Sequence, residues 1–161
     1  MSRHTFGLSP RKDPALIYRN PIFKAMHRAP MAEHKRTDLA LSARRAFESV
    51  QRGTCNVCDR DTLACMVNVC MVLAEWHCSA EDLADIVSSQ EAMLRADGRA
   101  LGGRRWNFDG EGRTAMLRAL EIHEQLIELI GQTAVADAML EVMARRDRGL
   151  VHRVVSTQGV A

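Results

Sequence analysis

From residue 37 onward, apolar positions recur with the spacing of a helix. Leu39, Ala43, Ala46, Phe47 and Val50 stand three and four apart, the interval that stacks side chains on one face of an α-helix. Thr37-Asp38 before them and Gly53 after them are a start and a stop. A second helix is predicted from about Arg60 to His77, with Asp59 as its cap. Leu63, Met66, Val67, Cys70, Met71 and Leu73-Ala74 make nearly all its faces apolar, which predicts a central position. Ser79-Ala80-Glu81-Asp82 resembles a capping box, with Asp in place of the usual Glu or Gln. It opens a third helix through Leu83, Ile86, Val87, Met93 and Leu94 that is expected to end at Gly98. A fourth runs from near Asp109 to Gly131 on Met116, Leu120, His123, Ile127 and Ile130, with Leu117, Leu126 and Leu129 widening the stripe. Thr133 is the expected cap of a fifth. That helix has Val135, Met139, Val142 and Met143 on one face, and Arg145, Arg146 and Arg148 at its C-terminal end, where cations suit the helix dipole. Leu150 to Val155 either extends this helix or pairs with a partner.

The expected fold is therefore all-α, a compact bundle of about five helices. Composition agrees: aromatics are only 4% of the chain and Met is abundant at nine, a balance that favours helix over sheet. With 161 residues, a single domain can bury a core without staples. The longest apolar run, Leu63 to Ala74, is interrupted by Asn68 and falls short of the ~20 residues of a membrane span. Met1-Ser2-Arg3-His4-Thr5-Phe6 has no apolar h-region, so no secretory signal is expected. The expected location is the cytoplasm, where five cysteines read as thiols or metal ligands.

Charge divides the chain. Arg3, Arg11, Lys12, Arg19, Lys24, Arg28, Lys35 and Arg36 face only Asp13 and Glu33 within residues 1–36. That is a surplus of six in a chain whose total is +2, so the remainder is mildly acidic. The same segment holds all four prolines, Pro10, Pro14, Pro21 and Pro30, and each disfavours regular helix. Residues 1–36 are thus read as an extended basic arm, 37–155 as the helical domain and 156–161 as a flexible C-terminal tail. Phe6, Leu8, Leu16, Ile17, Tyr18, Ile22, Phe23 and Met26 make the arm too apolar for an inert linker. Two readings of it stay open. It docks in an apolar groove of its own body, a second copy or another protein; or its cations Arg11, Lys12, Arg19, Lys24, Arg28, Lys35 and Arg36 neutralise phosphates while aromatics stack on bases.

Candidate chemistry is sparse. Cys55-Asn56-Val57-Cys58 followed by His77-Cys78 offers four ligands that a structural zinc accepts if the second helix ends before His77. Otherwise the chain implies no cofactor. Cys65 and Cys70 read as core thiols, and His123 as a core or interface histidine. Glu121, Glu124 and Glu128 read as a solvated face, since no Glu-x-x-His pair recurs on two helices. Gly98, Gly102, Gly103, Gly110 and Gly112 surround Arg104-Arg105-Trp106-Asn107-Phe108, without the Gly-Lys-Ser/Thr of a phosphate loop. Loops on a rigid scaffold often carry function, and Trp with Arg makes interface hot spots. Taken by themselves, Trp106 and Phe108 read first as aromatics that anchor the loop to the core, and second as partner contacts.

Arg3-His4-Thr5-Phe6, Pro10-Arg11-Lys12, Leu73-Ala74-Glu75 and Trp106-Asn107-Phe108-Asp109-Gly110 give the chain an order of segments that resembles small all-helical accessory proteins of proteobacterial phages, prophages and plasmids. The resemblance carries no activity over to any residue. It implies a context, in which such proteins control replication or transfer, or bind a host or defence protein. We therefore read the chain as a non-enzymatic interaction protein that binds a protein partner through the arm and the glycine-flanked loop. Tyr18, Phe23, Trp106 and Phe108 are the apolar contacts and Arg104 and Arg105 the orienting ones. Nucleic-acid binding is the second reading and a zinc-stabilised module the third, and broad apolar helix faces allow a homodimer.

Overall fold

The computed structural model describes residues 31–150, which form five α-helices: α1 (Glu33–Arg52), α2 (Val57–His77), α3 (Ala80–Leu101), α4 (Gly110–Leu129) and α5 (Gln132–Asp147). The fold is all-α, a compact bundle. Among the described residues, no helix is long and apolar enough to cross a membrane.

Local chemistry sets the helix ends. Asn56 and Asp59 open α2 reciprocally: the Asn56 amide oxygen accepts from the Asp59 N–H and the Asp59 carboxylate accepts from the Asn56 N–H, each at 3.0 Å. Asp59 is thus the third residue of a capping box, not the cap itself, and α2 begins three residues earlier than its apolar pattern. Ser79 and Asp109 cap α3 and α4 by accepting from Asp82 and Gly112. At three helix ends the chain turns through a glycine with positive φ, namely Gly53, Gly103 and Gly149. At each, the following N–H bonds back five residues and the glycine N–H three: Thr54 to Ser49 and Gly53 to Val50, Arg104 to Arg99 and Gly103 to Ala100, Leu150 to Arg145 and Gly149 to Arg146. This paired closure satisfies terminal carbonyls, and only glycine enters that backbone region without a Cβ penalty.

Three other boundaries differ from the sequence expectation. Helix α1 starts at Glu33, four residues before Thr37, because buried Met31 seats the chain against the core ahead of a polar first turn. Helix α3 passes through Gly98 to Leu101; one helical glycine costs only ~1 kcal/mol. Helix α5 begins at Gln132 after Gly131 and has no side-chain cap, so Thr133 lies within its first turn.

Helix α2 is central and packs against α1, α3, α4 and α5. Leu63, Val67, Cys70, Val72 and Leu73 are almost fully enclosed there. The α3–α4 pair is the most extensive contact. Gly112 permits it, since a Cβ at that position would stand 2.9 Å from the Ala92 Cβ. Buried Asn68 accepts from the Gln90 amide at 2.9 Å, tying α2 to α3.

Candidate interaction site

The loop between α3 and α4 is pinned from the inside. Trp106 is buried, and its indole N–H donates to the Asp97 carboxylate at 2.6 Å. The Arg60 guanidinium, also buried, lies 5.9 Å from the indole centroid. Phe108 packs edge-on to Trp106 at 5.2 Å and stacks on Phe47 at 6.1 Å. Burial pushes the Asp97 carboxyl up, while the indole donor and Arg60 partly restrain it. Arg99 donates to the Asn107 carbonyl and, with Arg95, to Asp109. The Arg95 hydrogen bond, the Gly112 N–H and Arg99 together hold the Asp109 carboxyl down to about 2. What the loop presents outward is Arg104 and Arg105, with Arg105 lying over Gly53. Trp106 faces inward and Phe108 is half-buried, so a partner meeting this loop meets chiefly Arg104, Arg105 and Asn107.

The four prospective zinc ligands do not converge. Cys55 and Cys58 sit at the start of α2, His77 and Cys78 at its end, and a helix of 21 residues is ~30 Å long. One tetrahedral ion cannot bridge that length. The sequence leaves the end of the second helix open, and the helix in fact continues through His77. Among the described residues, no group of three or more His, Cys, Asp or Glu side chains is placed to hold a metal. Burial raises the Cys55 and Cys78 thiols, against the thiolate character that a ligand or nucleophile needs. Cys70 is in the core, whereas Cys65, expected beside it, is exposed.

His123 is buried with no hydrogen-bond partner at Nδ1, and burial lowers it to about 4. It is a neutral core imidazole. Of the neighbouring carboxylates, Glu124 pairs with Arg44 through two hydrogen bonds and Glu121 with Arg118. Tyr18, Phe23, Arg11, Lys12, Arg19, Lys24 and Arg28 lie outside the described residues, as does everything after Leu150. Lys35 and Arg36 belong to the first turn of α1.

Among the described residues, an open apolar stripe lies on α5. Helix α5 packs chiefly on α2, burying Ala134, Val135 and Ala138 and closing with Arg145 on Glu75. Met139, Leu140 and Met143 then face outward, 47%, 64% and 50% exposed, with Leu129 at 84% just before the helix. Exposed Ala136 completes a stripe at i, i+3, i+4 and i+7. The expected face through Val135, Met139, Val142 and Met143 did not include Leu140, and the structure divides it: Val135 is buried while Met139 and Met143 are exposed. Apolar residues occupy more than half the circumference of α5, and one neighbouring helix cannot cover that width. Comparison of the chain with family models, with curated proteins and with solved structures found no match.

Proposed function

We propose that the protein is a non-enzymatic interaction protein that binds a protein partner stoichiometrically, with the outer face of α5 as the contact. The observation that carries this reading is the row of Ala136, Met139, Leu140 and Met143, four exposed apolar residues in succession along one helix face. Rows at that spacing receive an amphipathic helix laid alongside, whose own apolar side chains enter between them. Methionine suits such a surface, because its unbranched thioether adapts to the partner's shape. Full burial of a Met or Leu side chain contributes about 1.5–3 kcal/mol, so three half-exposed residues supply a useful apolar centre. Arg104 and Arg105 offer a separate charged contact. The resemblance to mobile-element accessory proteins supports a host or defence factor as the partner, met in the cytoplasm.

The test is affinity capture from host lysate with the wild-type chain and with Leu140→Asp and Met143→Asp, each first shown to keep wild-type circular dichroism. A protein retained at fixed stoichiometry by the wild type and released by both variants supports the reading. An identical set of proteins on all three overturns it.

A further inference from the structure

The open face of α5 starts beside the point where the N-terminal arm joins the body. Met31 is buried and Ala32 precedes α1. Lys35, in the first turn of α1, donates its Nζ hydrogen bond at 3.1 Å to Gln132, the first residue of α5. Leu129, the most exposed large apolar residue described, ends α4 three positions earlier. The start of α1, the end of α4 and the start of α5 thus share one corner of the bundle.

Reach and charge both fit an occupant that comes from this corner. A helix rises ~1.5 Å per residue, so Ala136 to Met143 stands about 6–16 Å along α5 from Gln132. An extended chain spans ~3.3 Å per residue. Met26, five residues before Met31, therefore reaches about 16 Å, and Leu16 about 50 Å. The apolar set Leu16, Ile17, Tyr18, Ile22, Phe23 and Met26 brackets the whole stripe. Residues 1–30 hold six Lys or Arg against one Asp, which leaves −3 for the rest of a chain whose total is +2. Glu33, Glu124 and Glu128 line a shallow groove at the shared corner with Arg36 and Arg44, the latter paired with Glu124, a lining one negative charge in surplus that a basic segment passes without net repulsion.

We infer that residues 16–26 of the same molecule cover the α5 stripe and are displaced when a partner binds there. The displacement rests on the function proposed above; the covering does not. The test places the photoreactive residue p-benzoylphenylalanine at position 140 of the full chain and irradiates an equal mixture of unlabelled and ¹⁵N-labelled protein. Crosslinked peptides joining position 140 to residues 16–26 within one isotopic composition are the expected result. Mixed-isotope crosslinks, which indicate a second copy, overturn the inference, as do crosslinks confined to the helical body. A second measurement uses the native residue at 140. In the full chain, Ile22→Asp with Phe23→Asp is expected to speed amide exchange over residues 136–143 about fivefold and to leave α2 unchanged; equal rates overturn the inference. A chain that captures a Leu140-dependent partner but fails both measurements keeps the proposed function and loses the covering arm.

Discussion

Trp106 and His123 are both single buried residues with polar atoms, and they differ in whether those atoms are satisfied. The Trp106 N–H has a carboxylate acceptor at 2.6 Å, so the ring combines a large apolar area with a hydrogen bond that also restrains Asp97. Truncation to alanine removes both and is expected to cost about 3–5 kcal/mol, a fall of roughly 6–20 °C in Tm. Phenylalanine keeps most of the volume but leaves Asp97 without its donor, at about 1–3 kcal/mol. Thermal melts of the two variants give this order if the loop is held from within; a Trp106→Ala chain that melts like wild type contradicts it. His123 has no such partner, and its folded-state value of about 4 lies below the 6.5 of an ordinary histidine. The unfolded chain therefore takes up the proton first. Stability is unaffected by this group above about pH 6.5, declines as the pH falls from 6.5 to 4, and levels off below. The decline is roughly 2–3 kcal/mol by linkage. His123→Leu is expected to flatten that part of the acid limb in urea titrations at pH 7 and pH 4. An equal loss in variant and wild type would sink the assignment.

Glycine substitutions at two places in the α3–α4 pair separate helix propensity from helix crossing. Around Gly98 a Cβ meets nothing within 4 Å, while at Gly112 it meets the Ala92 Cβ at 2.9 Å and the Asp109 carboxylate at 2.8 Å. Gly98→Ala is therefore expected to stabilise the protein by about 0.5–1 kcal/mol. Gly112→Ala is expected to destabilise it by about 1–3 kcal/mol, through overpacking and disturbance of the α4 cap. Chemical denaturation of both variants checks the opposite signs, and two stabilising substitutions would mean that the helices do not approach so closely. These glycines also show what was legible in the sequence. The number of helices, the central place of α2, the Ser79 cap and the start of α4 near Asp109 followed from local patterns, because apolar periodicity and capping act within a few residues. Gly98 looked like a stop because sequence does not distinguish a tolerated helical glycine from one required at positive φ, which here is Gly103. The open stripe on α5 was not legible because exposure depends on how many helices pack around it. The inward direction of Trp106 became definite only when Asp97 and Arg60, on two different helices, were seen to meet the indole.

Across the whole molecule, the separation of charge sets a limit on nucleic-acid binding. A basic arm free to lie along a duplex and to place all six Lys or Arg of residues 1–30 against phosphates would give a slope of log affinity against log salt near −5. The proposed covering of α5 by residues 16–26 would hold part of the arm away from phosphates, and a remainder of net −3 is repelled by them; both oppose that engagement. Fluorescence anisotropy with duplex and single-stranded oligonucleotides across a salt series is therefore expected to show weak binding with a slope shallower than about −3, fading by physiological ionic strength. Replacing Arg11, Lys12, Arg19, Lys24 and Arg28 by Gln in the full chain is expected to remove that residual binding while α5-dependent capture of the protein partner persists. A slope near −5 that disappears with the same five substitutions would reverse the order of the two functions. It would make the arm a nucleic-acid clamp, and the α5 face would be left needing an occupant other than residues 16–26 whenever the arm is on nucleic acid.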